Sequence, residues 1–164
     1  MKKSLLAVLR TLEAAPSILS DFTSAIPSDA LRAIRRPGFW SIEQHLFHLA
    51  DTQPMLYERL RRFRDETSPS FVPFLPGSGQ AQPLASKVAS VHEALSMFGE
   101  RRAKMLELVR GFSDEVWDRV GSHPEYSTYT CFGLLRHITM HDHWHMYRIE
   151  ELWLTRDEYL TEVQ

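Results

Sequence analysis

The chain has 164 residues, a length at which a single core buries roughly two thirds of the surface that the unfolded chain exposes, so one domain over 1–164 is expected. A 43% apolar and 24% charged composition with a net charge of −2 gives no single-signed field to attract a polyanion or an anionic membrane, which excludes nucleic acid as an implied partner. One cysteine, Cys131, excludes an internal disulfide framework and fits a reducing, cytoplasmic compartment, while charges interrupt every apolar run well short of the ~18–20 residues a bilayer requires.

In chain order, Leu5-Leu6-Ala7-Val8-Leu9 is closed by Arg10, too early for the ~7–15-residue apolar region of a signal peptide, and reads as the start of a helix. That first helix extends from Ser4 to about Ser24 on the spacing of Leu5, Leu9, Leu12, Ile18, Leu19 and Phe22, with a kink at Pro16. Ile26-Pro27-Ser28-Asp29 then caps a short helical turn through Ile34, ended by Pro37-Gly38. Ser41 and Gln44 have the spacing of a capping box and start a second long helix through Arg64, whose stripe is Ile42, Leu46, Leu49, Leu56, Leu60 and Phe63. Its basic end, Arg59, Arg61, Arg62 and Arg64, reads as a solvated terminus.

Asp65 to Pro83 is rich in Pro, Ser and Gly, without helical period, and longer than compact domains usually tolerate without a reason. A third helix is expected from about Ser86 to Arg110, with Val88, Val91, Leu95, Phe98, Met105, Leu106 and Val109 buried and Gly111 as its C-cap. Ser113 to Trp117 reads as a short capped turn and Gly121 to Tyr129 as a polar loop. The fourth long helix begins near Thr130 and carries Phe132, Leu134, Leu135, Ile138, Ile149, Leu152 and Trp153 to about Thr155; the pattern does not assign the tail 156–164. Four long helices without alternating strands predict an all-α four-helix bundle. The long second connection favours an up-down-down-up order, with a crossover between helices two and three that makes those two parallel.

Four of the eight histidines, His137, His141, His143 and His145, fall within nine residues of the fourth helix. At 100° per residue, positions 141 and 145 are about 40° apart and one turn apart along the axis, so both imidazoles can reach one ion, whereas His143 projects elsewhere. Leu134, Ile138 and Leu152 on the same face turn the pair inward, where a buried imidazole needs a partner and a metal supplies one. A third ligand can come from the second helix, which offers His45 near the centre of its apolar stripe and His48 near the edge; periodicity slightly favours His45.

The segment from Trp40 to Asp51, Trp-Ser-Ile-Glu-Gln-His-Leu-Phe-His-Leu-Ala-Asp, resembles the helix-two signature of DinB-like proteins, in which a ligand histidine stands eight residues after the Trp in a His-Leu-Ala-Asp context. His141 to Ile149 is similar to the fourth-helix signature of the same family. The resemblance implies a divalent metal on His48, His141 and His145 in a four-helix bundle covering nearly the whole chain. It further implies thiol-dependent chemistry such as S-transfer or isomerisation, and a homodimer. Arg148 departs from the Gln that many relatives carry three residues after the second ligand.

A dinuclear carboxylate centre needs Glu-x-x-His pairs, and no Glu stands three residues before any His; His-Glu-x-x-His and cysteine-rich zinc motifs are also absent. His137 reads as a supporting or core residue and Cys131 as a small buried hydrophobe. Arg148, on the ligand face, is a candidate to bind an anionic group of a substrate, and Trp144 to wall the pocket. Zinc is the first expectation for an imidazole site, with nickel second. The functional expectation is a metal-dependent transferase or hydrolase that activates a low-molecular-weight thiol or a water for attack on a small-molecule substrate. The alternative is a non-enzymatic bundle whose structural metal serves dimerisation or partner binding.

Overall fold

A computed structural model of the chain describes residues 3–73 and 88–162. Four long helices dominate: α1 (Lys3–Ser24), α3 (Ile42–Asp65), α4 (Val91–Arg110) and α6 (Cys131–Leu154), with single-turn helices α2 (Ser28–Arg32) and α5 (Asp114–Asp118) between them. None of the described helices is long and apolar enough to cross a membrane.

Each long helix after the first starts on a side-chain cap. The Ser41 hydroxyl accepts from the Gln44 N–H at 3.2 Å while the Gln44 side chain accepts from the Ser41 N–H at 2.8 Å, the reciprocal box that the sequence predicted. Thr130 accepts from the Gly133 N–H at 2.9 Å. Ser90 accepts from the Glu93 N–H at 3.1 Å, so α4 starts at Val91 rather than at the expected Ser86. Positions 86 and 87 lie outside the described residues; Val88, expected on the helix, is buried but precedes the cap.

The apolar interior falls into two clusters that fix the direction of every long helix. In one, Leu5 and Leu12 of α1 meet Leu134, Leu135 and Ile138 of α6, Leu56, Leu60 and Phe63 of α3, and Met105, Leu106 and Val109 of α4. In the other, Ala15 and Leu19 meet Ile149 and Leu152, Ile42, Leu46 and Leu49, and Ala94 and Phe98. The early half of α1 and α6 therefore shares an end of the bundle with the late half of α3 and α4. The order is up-down-down-up and α3 is parallel to α4, as expected. Residues 66–90 consequently join opposite ends: Phe71 is buried in the first cluster and Val88 in the second. The stretch 74–83 of the expected crossover lies outside the described residues.

Both helix-interior prolines lack the N–H that would bond the carbonyl four residues earlier. Adjacent arginines of α4 supply the missing donors: Arg102 reaches the Leu12 carbonyl, four before Pro16, at 3.5 Å, and Arg101 reaches the Ala50 carbonyl, four before Pro54, at 2.7 Å. Arg102 is 1% exposed, ion-paired to Asp142 of α6 at 2.6 Å and bonded to the Gln53 side chain of α3, so one guanidinium touches all four long helices.

Within the expected polar loop, β1 (Val120–Gly121) pairs antiparallel with β2 (Tyr129–Thr130). A Cβ at Gly121 would stand 2.8 Å from both the Phe71 ring and the Pro69 carbonyl, so only glycine permits this approach. The unassigned tail packs back: Leu160 is buried, the Thr161 N–H donates to Glu151 at 2.6 Å, and Arg35 donates to Asp157 at 2.7 Å.

Candidate metal centre

Antiparallel packing of α3 on α6 sets positions 45 and 48 opposite 145 and 141. His48 Nε2 lies 3.1 Å from His141 Nε2, and each of His48, His141 and His145 offers a ring nitrogen such that all three atoms lie within 4.8 Å of one another. A tetrahedral ion held at ~2.0–2.1 Å by imidazoles requires its nitrogens about 3.4 Å apart, so the 3.1 Å pair already stands close to a coordination edge. Two nitrogens in that contact share at most one proton, an arrangement that a cation accepting both lone pairs satisfies better. The donor set is all-imidazole, which suits zinc, copper, iron or nickel.

His45, the inward alternative from the sequence, is also buried, but its Nδ1 lies against His145 Nδ1 at 2.8 Å. It lines the same cavity outside the three-nitrogen group, where it can fix the tautomer and tilt of the His145 ring. Burial and the nearby Arg148 charge push His45 down to about 3; burial and His141 push His48 down to about 4; burial holds His145 well below the usual imidazole range. His45, His48 and His145 are thus neutral near pH 7, the form in which an imidazole can ligate. His141 Nδ1 and Asp142 Oδ1 are buried without a hydrogen-bond partner among the described residues, 4.0 Å from one another.

The cluster forms one end of a cavity of about 490 Å³. Trp40 lies 5.1 Å from His48 and 6.1 Å from His145 between ring centroids, and Trp144 meets His145 edge-on at 4.8 Å; both indoles line the cavity. The wall continues through Thr52, Met55, Leu56 and Arg59 of α3, His137 of α6, and His123, Glu125 and Tyr126 of the loop between the short strands.

Trp144 lines the cavity beside the cluster, and His143 is exposed and outside the three-nitrogen group. His137 lines the cavity outside the three-nitrogen group, its ring lowered in pKa chiefly by burial. Arg148, expected to face a substrate, is instead 2% exposed and absent from the lining, because Glu151 three residues later takes its charge while Thr161 accepts from it at 3.3 Å. Cys131 is buried, and burial pushes its thiol up to about 12, as suits a small hydrophobe. The sequence reading missed Trp40, His123 and Tyr126 as cavity residues. No periodic pattern marks a loop residue that enters a site only when a crossover and a two-residue ladder fold over it.

Three comparisons bear on this arrangement. Residues 11–149 match the family model described as the DinB superfamily. Over 145 residues, 88% of this chain and 81% of the relative, the chain is 26% identical to a Bacillus subtilis (strain 168) protein named "Putative metal-dependent hydrolase YfiT". A solved structure, described as "YfiT from Bacillus subtilis is a probable metal-dependent hydrolase with an unusual four-helix bundle topology", superposes with a TM-score of 0.78 at 23% identity, covering 93% of this chain and 87% of that one.

Proposed function

The chain belongs to the DinB superfamily, and from that membership we propose that it is a metal-dependent enzyme acting on a small molecule, with His48, His141 and His145 as its ligands. One observation carries the reading: the three imidazoles converge on the wall of a 490 Å³ cavity rather than inside a closed shell. A structural site closes around four protein ligands, whereas three protein ligands leave room for a reactant. When bound there, a divalent ion, zinc before nickel, supplies Lewis acidity that lowers the pKa of a water or a small thiol or polarises a carbonyl.

The chain's own groups do the rest. Trp40 and Trp144 flank the cluster and exclude water beside it, and His45 holds the His145 ring in one orientation. Hydrolysis is the first reaction class, in line with the name of the Bacillus relative, and transfer to a low-molecular-weight thiol is the second. The cavity disfavours a purely structural ion, since a bundle fastened for partner binding has no use for an apolar chamber at its metal. A homodimer belongs to the same reading: Met140, Trp144 and Tyr147 form an exposed stripe on α6, and light scattering at the monomer mass would refute it.

Elemental analysis of purified protein tests the centre. One divalent ion per chain is expected, with His141→Ala or His145→Ala abolishing it and His143→Ala retaining it. Equal losses from all three would overturn the assignment.

A further inference from the structure

The cavity has a second chemical pole. His48, Thr52, Met55, Leu56 and Arg59 follow one face of α3 into the chamber, and the eleven steps from His48 to Arg59 rise about 16 Å along the axis. Between the imidazoles and the guanidinium α3 presents Met55 and Leu56 beside Thr52, and α6 presents His137.

Arg59 differs from its neighbours on the helix. Arg61 pairs with Glu58 and Asp65, Arg62 with Glu66, and Arg64 with Asp65. Arg59 donates to two neutral oxygens, the Val72 carbonyl at 2.6 Å and the Tyr129 hydroxyl at 3.3 Å, and meets no carboxylate among the described residues. The residues outside that set contain no Asp or Glu. Its two neutral bonds leave N–H donors of the guanidinium unused. A half-buried permanent cation without a counter-charge is costly unless an anion joins it.

The surroundings do not supply that anion. His123 accepts the Glu125 N–H on its Nδ1 at 3.2 Å, and burial is the chief cause that lowers the pKa of His137. Glu125, the one carboxylate in the lining, is exposed.

We propose that Arg59 is an anion subsite of the cavity and that the small molecule bound there carries a terminal carboxylate, with its reacting group at the imidazole end and an apolar segment between. The proposal rests on the metal-dependent reading above. One permanent positive charge matches one carboxylate, paired through two charge-assisted hydrogen bonds, better than it matches a doubly charged phosphate. The structure thus gives Arg59 the role that the sequence suggested for Arg148.

The test uses the cobalt-substituted full chain and alkyl hydroxamates of graded chain length that end in either a carboxylate or a carboxamide. Hydroxamate coordination reports through the visible cobalt spectrum. At the chain length that spans the cavity, the carboxylate probe is expected to bind at least about tenfold more tightly than the carboxamide. Arg59→Gln should erase that preference while the spectrum still responds, and Arg59→Lys, which keeps the charge but not the fork, should retain part of it. Equal affinities in the unaltered protein, or a preference surviving in Arg59→Gln, would overturn the subsite and leave the metal centre standing. A spectrum unmoved by either probe would overturn the open metal site, and the subsite with it.

Discussion

At the residue scale, His45 meets His145 through two Nδ1 atoms 2.8 Å apart, so its loss removes an orienting contact and no proposed ligand. His45→Ala is expected to retain one ion per chain at saturation but to bind it about 10–100-fold more weakly; titration against a metal-indicator dye measures this, and lost stoichiometry would make His45 a ligand. The same burial sets a pH dependence. His45 and His48 sit near 3 and 4 when folded, against about 6.5 when unfolded, so between those values the unfolded chain binds more protons. Stability of the metal-free protein therefore falls as pH drops below about 6.5, by up to roughly 1.4 kcal/mol per pH unit for each such histidine. Thermal melts from neutral to mildly acidic pH read this out directly. An unchanged melting temperature would mean that the imidazoles are not buried as neutral groups.

At the scale of elements, the prolines of α1 and α3 and the arginine pair of α4 form one system. Arg101→Ala leaves the Ala50 carbonyl without its donor and is expected to cost about 1–3 kcal/mol. Pro54→Ala restores an N–H that can bond that carbonyl within the helix, so the cost of Arg101→Ala should shrink in the Pro54→Ala background. Denaturant unfolding of the four proteins in the cycle checks this, and strict additivity would break the link between the proline and the arginine. Arg102 does more than cap a carbonyl. Its neutral replacement Arg102→Met leaves Asp142 charged and buried at 1% exposure, with an expected loss of about 3–5 kcal/mol in the same unfolding assay.

For the whole molecule, the two apolar clusters hold the ends of the bundle and the Arg102 network its middle, and none of these contacts uses His48, His141 or His145. Chelation is therefore expected to leave the helical circular dichroism intact. Added zinc should raise the melting temperature only by mass action, in proportion to the logarithm of its concentration above saturation. Unfolding on chelation would instead identify the ion as part of the fold and favour the structural alternative.

Helical periodicity, caps and loop length are local or one-dimensional properties, and they were sufficient for four long helices, the Ser41 box, the inward turn of His141 and His145, and the parallel course of α3 and α4. The choice of His48 came from the resemblance of a twelve-residue segment, since periodicity alone left His45 ahead; the structure buries His45, half-buries His48 and separates them by which ring nitrogen of α6 each one faces. Only tertiary packing decided the fate of the two arginines. Arg148 and Arg59 look alike along the chain, each on a helix face that carries histidines, but Glu151 lies one turn from Arg148 and neutralises it inside the protein. Arg59 ends against a carbonyl and a phenol brought from the connection and from β2, and its charge stays open to the cavity. A side chain's electrostatic partner is set by which segments fold beside it, and those distances do not exist until the chain has folded.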